Sequence, residues 1–395
     1  MVVSAQSLLL RRRIMNKNEL KSLFMAEIPH DFEMAVFEKQ QILQRVKRKQ
    51  KKAWIKPTIL TAVFTFLIMV TGIPLFQYIS DEQKLSSFIE NKLIIPITLK
   101  KESYPNLINS TYISETNELI FTDGFQFFSY NPGTDEKVAL TRRAEAAVYY
   151  DYAANDHWLI WDNPHNSSLF ILNRETGDLK EIANTYVAGI SIHKNKATFI
   201  QMSGEGIEYP TDVILDLQTM DKTMFPSDEF SEGADTLAII RDDLFITSEK
   251  NNGNVDILTY DLSNHNQVQK YTVPFDTVTY MLYDREKIYG LFISGDETTV
   301  GYIDLLTGDF VKLANTPAYA MAVYGDYLAL SVEMNASDTV KLYQIHANTL
   351  KPLKTLNVFS ERLVKPRFTI DGKLIVNGEN KQHTMYVIDM EKIQP

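Results

Sequence analysis

Carboxylate side chains that recur along the C-terminal part of the chain are the residues best suited to bind a ligand. We place each in the predicted loop between the second and third strands of a four-strand repeat, the end of the repeats where we expect a ligand to bind, and together they are Asp123, Asp162, Glu205, Glu249, Asp296, Glu333 and Glu379. If folding gathers them on one surface, the resulting acidic rim would attract a cation, an amine-bearing wall polymer or a basic patch of a protein. Acidic residues are also common on ordinary solvated surfaces, and that interpretation stays open.

A second candidate surface combines aromatic rings with polar side chains. The stretch around Asp162 and His165 contains Tyr149, Tyr150, Tyr152, Trp158 and Trp161. Such rings can stack on sugars or peptides, although alternation along a strand more often places them in a core. We favour the core for most of these rings, and we count His165 with the seven carboxylates as a candidate ligand-binding residue.

Familiar catalytic and metal-binding motifs are missing. The chain has no cysteine, and its 7 histidines never lie four residues apart. Nucleophile-elbow, metalloprotease, EF-hand, P-loop and dinucleotide patterns are absent as well. We therefore expect no metal, no cofactor and no enzymatic activity. Carboxylates brought together from separate parts of the chain keep a hydrolase as the least favoured alternative.

The elements that must position these residues repeat with a period of about 43 residues. In every repeat an apolar run ends at one polar residue, and the seven of these are Asn131, Asn173, Asp216, Asp261, Asp304, His346 and Asp389. Asp or Asn suits this place because its short side chain accepts hydrogen bonds from the backbone amides of a turn. Repeats of this length with about four short strands predict an all-β, seven-bladed β-propeller over residues 93–395.

The last repeat differs from the others. A strand follows each of the first six polar residues, but no strand follows Asp389, whereas residues 93–99 form a strand-like run without a partner. We predict that residues 93–99 supply the outer strand of the seventh blade and close the ring, which avoids open sheet edges. Pro96 is tolerated there because an outer strand needs only one hydrogen-bonded edge.

The clearest copies of the repeat are residues 169–178 and 300–309, in which an apolar strand is followed by a polar residue, two further residues before Thr-Gly, and a turn. These units resemble the Tyr-Val-Thr-Asn-type and quinoprotein-like propellers of bacteria. The resemblance implies the architecture alone, because propellers host enzymes, receptors and scaffolds.

A membrane anchor precedes the repeats. Residues 57–80 contain no charged side chain and are long enough for a helix to cross a hydrocarbon layer of about 30 Å. The basic flank before this segment consists of Arg45, Lys47, Arg48, Lys49, Lys51, Lys52 and Lys56, whereas Asp81 and Glu82 follow it. The positive-inside rule places residues 1–56 in the cytoplasm. We expect the basic flank to contact anionic membrane lipid rather than nucleic acid. A cleaved signal peptide would need an unusually long charged region.

Charge divides along the same boundary. Residues 1–80 hold 13 basic and 5 acidic side chains, and residues 81–395 hold 27 and 45, within totals of 40 and 50. The pattern of the cytoplasmic arm, residues 1–56, predicts two short amphipathic helices. They are too small to form a stable core, so their apolar faces need a partner or the membrane surface. Residues 15–80, in which the run 37–49 leads into the span, resemble the membrane-bound anti-sigma factors and sigma-factor regulators of Gram-positive bacteria. That resemblance implies a sigma factor as the partner, although the zinc-binding His/Cys signature is absent.

The sequence thus predicts a single-pass protein of the cell membrane. Its parts are the arm at 1–56, a transmembrane helix at 57–80, a short helix or stalk at 81–92 and an extracytoplasmic propeller at 93–395. In our preferred interpretation it is a signalling protein, whose propeller binds a ligand or protein and whose arm contacts a regulator. The alternative is a non-catalytic adaptor or scaffold in envelope assembly, with an arm that only anchors it.

Overall fold

The computed structural model describes residues 73–99, 110–142, 151–163, 165, 167–203, 211–226, 238–241, 243–334, 337–379 and 384–392. Residues 75–395 form one compact unit. Its strands make seven antiparallel sheets of four strands each, the arrangement of a seven-bladed β-propeller. The predicted fold class is therefore confirmed for this part of the chain. The arm and residues 57–72 of the predicted span lie outside the described residues.

Six sheets each use four consecutive strands, in the order given by the chain. The first contains β2 (Thr111–Ile113), β3 (Glu118–Thr122), β4 (Phe127–Asn131) and β5 (Glu136–Ala139). The second contains β6 (Tyr152–Ala154), β7 (Trp158–Asn163), β8 (Ser168–Asn173) and β9 (Leu179–Ile182). The third contains β10 (Tyr186–His193), β11 (Lys196–Ser203), β12 (Thr211–Asp216) and β13 (Lys222–Pro226). The fourth contains β14 (Ile239–Arg241), β15 (Leu244–Asn251), β16 (Asn254–Asp261) and β17 (Gln267–Val273). The fifth contains β18 (Thr277–Asp284), β19 (Lys287–Ser294), β20 (Glu297–Asp304) and β21 (Phe310–Asn315). The sixth contains β22 (Ala318–Tyr324), β23 (Tyr327–Met334), β24 (Ser337–His346) and β25 (Thr349–Leu353).

The seventh sheet joins the two ends of the ring. It contains β26 (Leu363–Phe368), β27 (Leu374–Gly378) and β28 (Met385–Ile388), and its outer strand is β1 (Ile94–Ile97). In the antiparallel register Ile94 opposes Ile388 and Ile97 opposes Met385. This is the pairing expected for residues 93–99, so hydrogen bonds between the first and last strands close the ring.

The middle strands of each blade are more buried than the outer strand. All residues of β7 and β27 are buried, whereas every residue of the outer strand β5 is exposed. The middle strands pack on both faces against neighbouring blades, which explains why they read as continuous apolar runs. The outer strands cover only one flank and carry polar residues.

The repeated polar residues form the turns that the sequence predicts. The Asp304 carboxylate accepts the N–H groups of Leu306 at 2.9 Å and Thr307 at 3.4 Å. The Gly308 N–H donates to the Asp304 carbonyl at 2.7 Å, and Gly308 adopts a φ of 78°, which glycine allows at little cost. Equivalent side-chain bonds occur at Asn131, Asn173, Asp216, Asp261 and Asp389. His346 differs, because its backbone carbonyl accepts the Thr349 hydroxyl.

We expect Asp304→Ala to lower the free energy of unfolding by about 1 kcal/mol, because two turn amides lose their acceptor. Asp304→Asn keeps an acceptor oxygen and should lose much less. Urea unfolding of both variants checks this. Equal losses for Ala and Asn would assign the effect to charge rather than to the turn.

One long helix leads directly into the ring. Helix α1 spans Ile73–Glu90, so it covers the end of the predicted span together with most of the predicted stalk, without a break at residue 80. Leu85, Phe88 and Ile89 pack against a buried cluster that includes Ile94 and Ile388. The helix is therefore docked on the side of the propeller along its last turns.

A Schellman motif ends this helix. The Leu93 N–H donates to the Phe88 carbonyl at 2.8 Å, and the Lys92 N–H donates to the Ile89 carbonyl at 3.0 Å. Lys92 adopts the left-handed φ of 56° that the motif requires. The chain then enters β1, so α1 and the closing strand are linked by a single tight turn. Within the part of the chain that the structure describes, no helix is both long and apolar enough to cross a membrane.

Candidate functional site

The concave surface of the propeller lies at one end of its central channel. A cavity of about 660 Å³ is lined by turns between the first and second strands of the first three sheets, including Ser114, His157 and Lys194. A cavity of about 270 Å³ adjoins it and is lined by inner-strand residues of the fifth, sixth and seventh sheets. Arg241 and residues 368–370 line both cavities. We call the two together the funnel.

The funnel opens on the face opposite to the one that the sequence analysis favoured. Successive turns of an antiparallel meander alternate between the two ends of the strands. The turns between the first and second strands therefore lie at the funnel, and the turns between the second and third strands lie at the other end. The predicted acidic rim belongs to that other end.

The inner strands of two sheets bring cations to the funnel. Arg367 stands on β26, and its Nη1 donates to the Lys365 carbonyl at 3.2 Å while its Nη2 donates to the Asn377 side-chain oxygen at 3.0 Å. Its Nε is buried and has no hydrogen-bond acceptor within the described part of the chain. Burial lowers the pKa of Arg367 to about 10, and the nearby Tyr152 and Tyr280 oppose this shift. Arg241 ends β14 at the wall shared by the two cavities.

A bulge in β26 creates this arrangement. The register between β26 and β27 shifts between Val364 and Arg367, and Lys365 takes a φ of 52°. A bulge re-aims side chains relative to regular alternation. Burial, followed by the charge of Arg367, lowers the pKa of the Lys365 amine to about 8. Two cations thus stand close together on one inner strand.

Aromatic side chains form much of the remaining wall of the smaller cavity. Tyr280, Tyr324 and Phe368 line it, and the rings of Tyr324 and Phe368 lie 6.0 Å apart. Asp284 also lines it, but its carboxylate accepts the Gly325 N–H at 3.0 Å and faces Arg285 Nε at 4.0 Å. The site therefore combines two arginines with apolar ring surface.

Three of the predicted acidic residues lie in turns or at a strand end on the far face. The Asp123 carboxylate accepts the N–H groups of Phe125 and Gln126, both at 2.9 Å, so it shapes its own turn. Asp296 is exposed in the turn between β19 and β20. Glu379 follows β27 and pairs with Arg362 Nη1 at 2.9 Å.

Three others lie on strands, which corrects their predicted place in loops. Asp162 stands on β7, Glu249 on β15 and Glu333 on β23. Strand β15 continues past Glu249 because the turn consists of Asn252 and Gly253, both with positive φ, which is a tight hairpin. Glu205 lies outside the described residues.

His165 and the aromatic stretch have structural contacts. The His165 N–H donates to the Asn163 side chain at 3.1 Å within the turn after β7. Trp161 is fully buried and stacks on Phe170 at 5.3 Å, so the core interpretation is confirmed for this ring. Trp158 is also buried, and its Nε1 donates to the Asn195 side chain at 3.0 Å. Tyr149 and Tyr150 lie outside the described residues.

One predicted acid, Asp162, is buried and has a partly buried acidic neighbour, Asp151. Burial, followed by the charge of Asp151, raises the pKa of Asp162 to about 6, while a bond from the Val187 N–H opposes the shift. The Asp151 carboxylate accepts the N–H groups of Gly189 and Ile190 on the third sheet. Both acids therefore tie the second sheet to the third. No cluster of three or more His, Asp or Glu residues suited to a metal occurs among the described residues.

Arg241, Lys365 and Arg367 were missed in the sequence analysis, although a signal for them exists. Each is a cation within an apolar first strand of a repeat, at Ile239–Arg241 and Leu363–Phe368. Since first strands border the central channel of a propeller, a cation there must be buried or face the channel.

Comparison with known proteins supports the fold and goes no further. No family model matches the chain, and no curated protein sequence matches it. A chain of the mitotic checkpoint complex is 10% identical over 74% of this chain and 90% of its own, with a TM-score of 0.53. Dihydro-heme d1 dehydrogenase NirN is 11% identical over 72% of this chain and 64% of its own, with a TM-score of 0.50. The propeller domain of the trilobed protease from Pyrococcus furiosus is 13% identical over 62% of this chain and 83% of its own, with a TM-score of 0.48.

Proposed function

We propose that this protein is a single-pass membrane protein whose extracytoplasmic propeller binds a ligand or protein partner and whose cytoplasmic arm contacts a regulator. Propellers serve as binding scaffolds, and the funnel supplies a surface for that role. The observation that carries the proposal is the link between α1 and the ring. Helix α1, which follows the uncharged segment in the chain, packs against the propeller through its last turns. The chain then continues directly into β1, the strand that closes the ring.

The seventh sheet connects the funnel to the helix. Its inner strand β26 carries Arg367 at the funnel, and its outer strand β1 is joined to α1 by one turn. A ligand that binds one arrangement of this sheet more tightly than another shifts the balance between them by the difference in affinity. Such a shift would reach α1 through four hydrogen-bonded strands. The basic flank, from Arg45 to Lys56, would hold the arm against anionic lipid.

Cysteine labelling tests the orientation, because the native chain has no cysteine. We expect Lys312→Cys, on the exposed outer strand β21, to react with a membrane-impermeant maleimide on intact cells. Lys51→Cys in the basic flank should react only after the membrane is permeabilised. If only Lys51→Cys were labelled on intact cells, the chain would have the opposite orientation. If a salt wash released the protein from the membrane, residues 57–80 would not be a membrane anchor.

A sigma factor is the regulator that we propose for the arm, on the strength of the resemblance of residues 15–80 to anti-sigma factors. The full-length protein, purified from membranes of its host, should carry a sigma factor that a variant lacking residues 15–36 does not. Recovery of the intact protein with no sigma factor would refute this partner and favour the envelope adaptor.

We propose that the propeller is not a hydrolase. The buried Asp162 and the partly buried Asp151 are the carboxylates best suited to such chemistry, since the pKa of Asp162 is raised to about 6. Both, however, accept backbone N–H groups from the third sheet. Those bonds give the pair a structural role between two blades and support binding over catalysis.

A further inference from the structure

The partly buried Arg367 guanidinium lines the funnel with its hydrogen-bonding capacity incomplete among the described residues. Its Nη1 and Nη2 bond to two neutral oxygens, the Lys365 carbonyl and the Asn377 side-chain oxygen. The buried Nε has no acceptor among the residues that the structure describes. A buried polar group left without a partner costs about 1–3 kcal/mol, and a charged group costs more.

Its charge is also uncompensated within the described residues. None of the ion pairs found there includes Arg367, whereas Arg174, Arg285 and Arg362 each pair with a carboxylate. Lys365 on the same strand is a second cation close enough to interact with Arg367, and the Asp151 carboxylate acts on Lys365 in the opposite direction. The groups facing the guanidinium from the other side of the channel are the tyrosines Tyr152 and Tyr280. Proteins rarely bury a charge in this way unless something else neutralises it.

The cavity beside Arg367 has room for a negatively charged group that would neutralise it. Alone its volume of about 270 Å³ is small for a ligand site, but it joins the cavity of about 660 Å³ at Arg241. Arg241 lines both cavities and Arg367 lines the smaller one, so a ligand that fills the funnel would contact both cations. The carboxylate of Asp284 also lines this cavity, where it is stabilised by the Gly325 N–H and by the charges of Arg285 and Arg241.

We propose that the funnel binds an oxyanion, a carboxylate or phosphate group, on the Arg367 guanidinium, with Arg241 as the outer cation and aromatic surface for an attached apolar ring. Guanidinium groups bind both kinds of oxyanion through paired N–H donors. Tyr280, Tyr324 and Phe368 supply the ring surface. This inference rests on the proposed binding role of the propeller and names the chemistry of its ligand.

Benzoate and phenyl phosphate are suitable probes, because they carry the two oxyanions on the same ring, and benzamide is the neutral control. Binding to the full-length protein in detergent is measured by calorimetry and by the shift in melting temperature. We expect one or both anions to bind and to raise the melting temperature, and benzamide to do neither. Tighter binding of benzoate would indicate a carboxylate ligand, and tighter binding of phenyl phosphate would indicate a phosphate ligand. Absence of binding by both anions would overturn the proposal.

Substitution separates a ligand site from a purely structural arginine. Arg367→Met should weaken anion binding at least tenfold with little change in the melting temperature of the unliganded protein, because removal of a poorly compensated charge offsets the loss of its bonds to Lys365 and Asn377. Arg241→Gln should weaken binding with little change in stability, and Lys312→Met on the exposed outer strand is the control. A less stable Arg367→Met protein with unchanged anion affinity would make Arg367 a structural residue. Because the labelling test of membrane orientation does not depend on anions, failure here leaves the proposed topology standing.

Discussion

Ile94→Asp should cost at least about 4 kcal/mol of unfolding free energy, because it buries an unpaired charge in the sheet that closes the ring. Ile94 is 0% exposed and opposes Ile388 in the antiparallel pair of β1 and β28. The same cluster contains Leu374 of β27 and the packed helix residues Leu85 and Phe88. Loss of this contact would release both the outer strand and the helix from the seventh sheet.

The matched control is the next residue along the same strand. Ile95 is 40% exposed, so Ile95→Asp keeps its charge in water and should change stability by well under 1 kcal/mol. Urea unfolding compares the two variants, and amide hydrogen exchange reports whether β28 loses protection selectively. Similar losses for both variants would mean that strand propensity, rather than burial at the closure, sets the cost. A stable Ile94→Asp protein would show that the ring does not depend on this strand.

Asp162→Asn should stabilise the protein by about 1–3 kcal/mol above pH 7 and by almost nothing near pH 4. The pKa of Asp162 is raised to about 6, chiefly by burial, and its Oδ1 is buried without a hydrogen-bond partner. A folded-state pKa above the ordinary 3.8 means that the proton is held more tightly in the folded protein. This favourable term is present at low pH and is lost as the pH rises through about 6, where the carboxylate ionises at a cost. Asparagine does not ionise, so the variant has no such loss of stability at high pH.

Thermal unfolding of both proteins between pH 4 and pH 8 checks this dependence. The gap in melting temperature should open between pH 4 and pH 6.5 and then stay constant. Asp296→Asn, an exposed carboxylate in a turn on the same face, is the control and should leave the melting temperature unchanged. An Asp162→Asn protein that is less stable than the parent at pH 8 would show that the charge of Asp162 is needed between the second and third sheets.

Much of the propeller could be read from local features of the chain. Residues such as Asn173 and Asp304 mark turns because their side chains reach amides only two or three residues away. Likewise, the missing strand after Asp389 and the unpartnered run near Ile94 pointed to one pairing, because an open sheet edge is unfavourable. Glu249 was misplaced for a local reason too, since the Asn252-Gly253 hairpin was read as a longer loop.

The binding surface was not accessible to the same reasoning. Arg367 lies near the C-terminus of the chain and Tyr152 in the second blade, and they approach each other only because the ring is closed. The bulge in β26 between Val364 and Arg367 is a departure from the alternation on which sequence patterns depend. The sequence by itself determined seven repeats, their turns and the strand that joins the ends, because each follows from hydrogen bonds and burial within a few residues or from one unpaired edge. Only the tertiary structure decided which face is concave and that cations line it, because a central channel is made of residues from every blade and its contents depend on how far each inner strand bends.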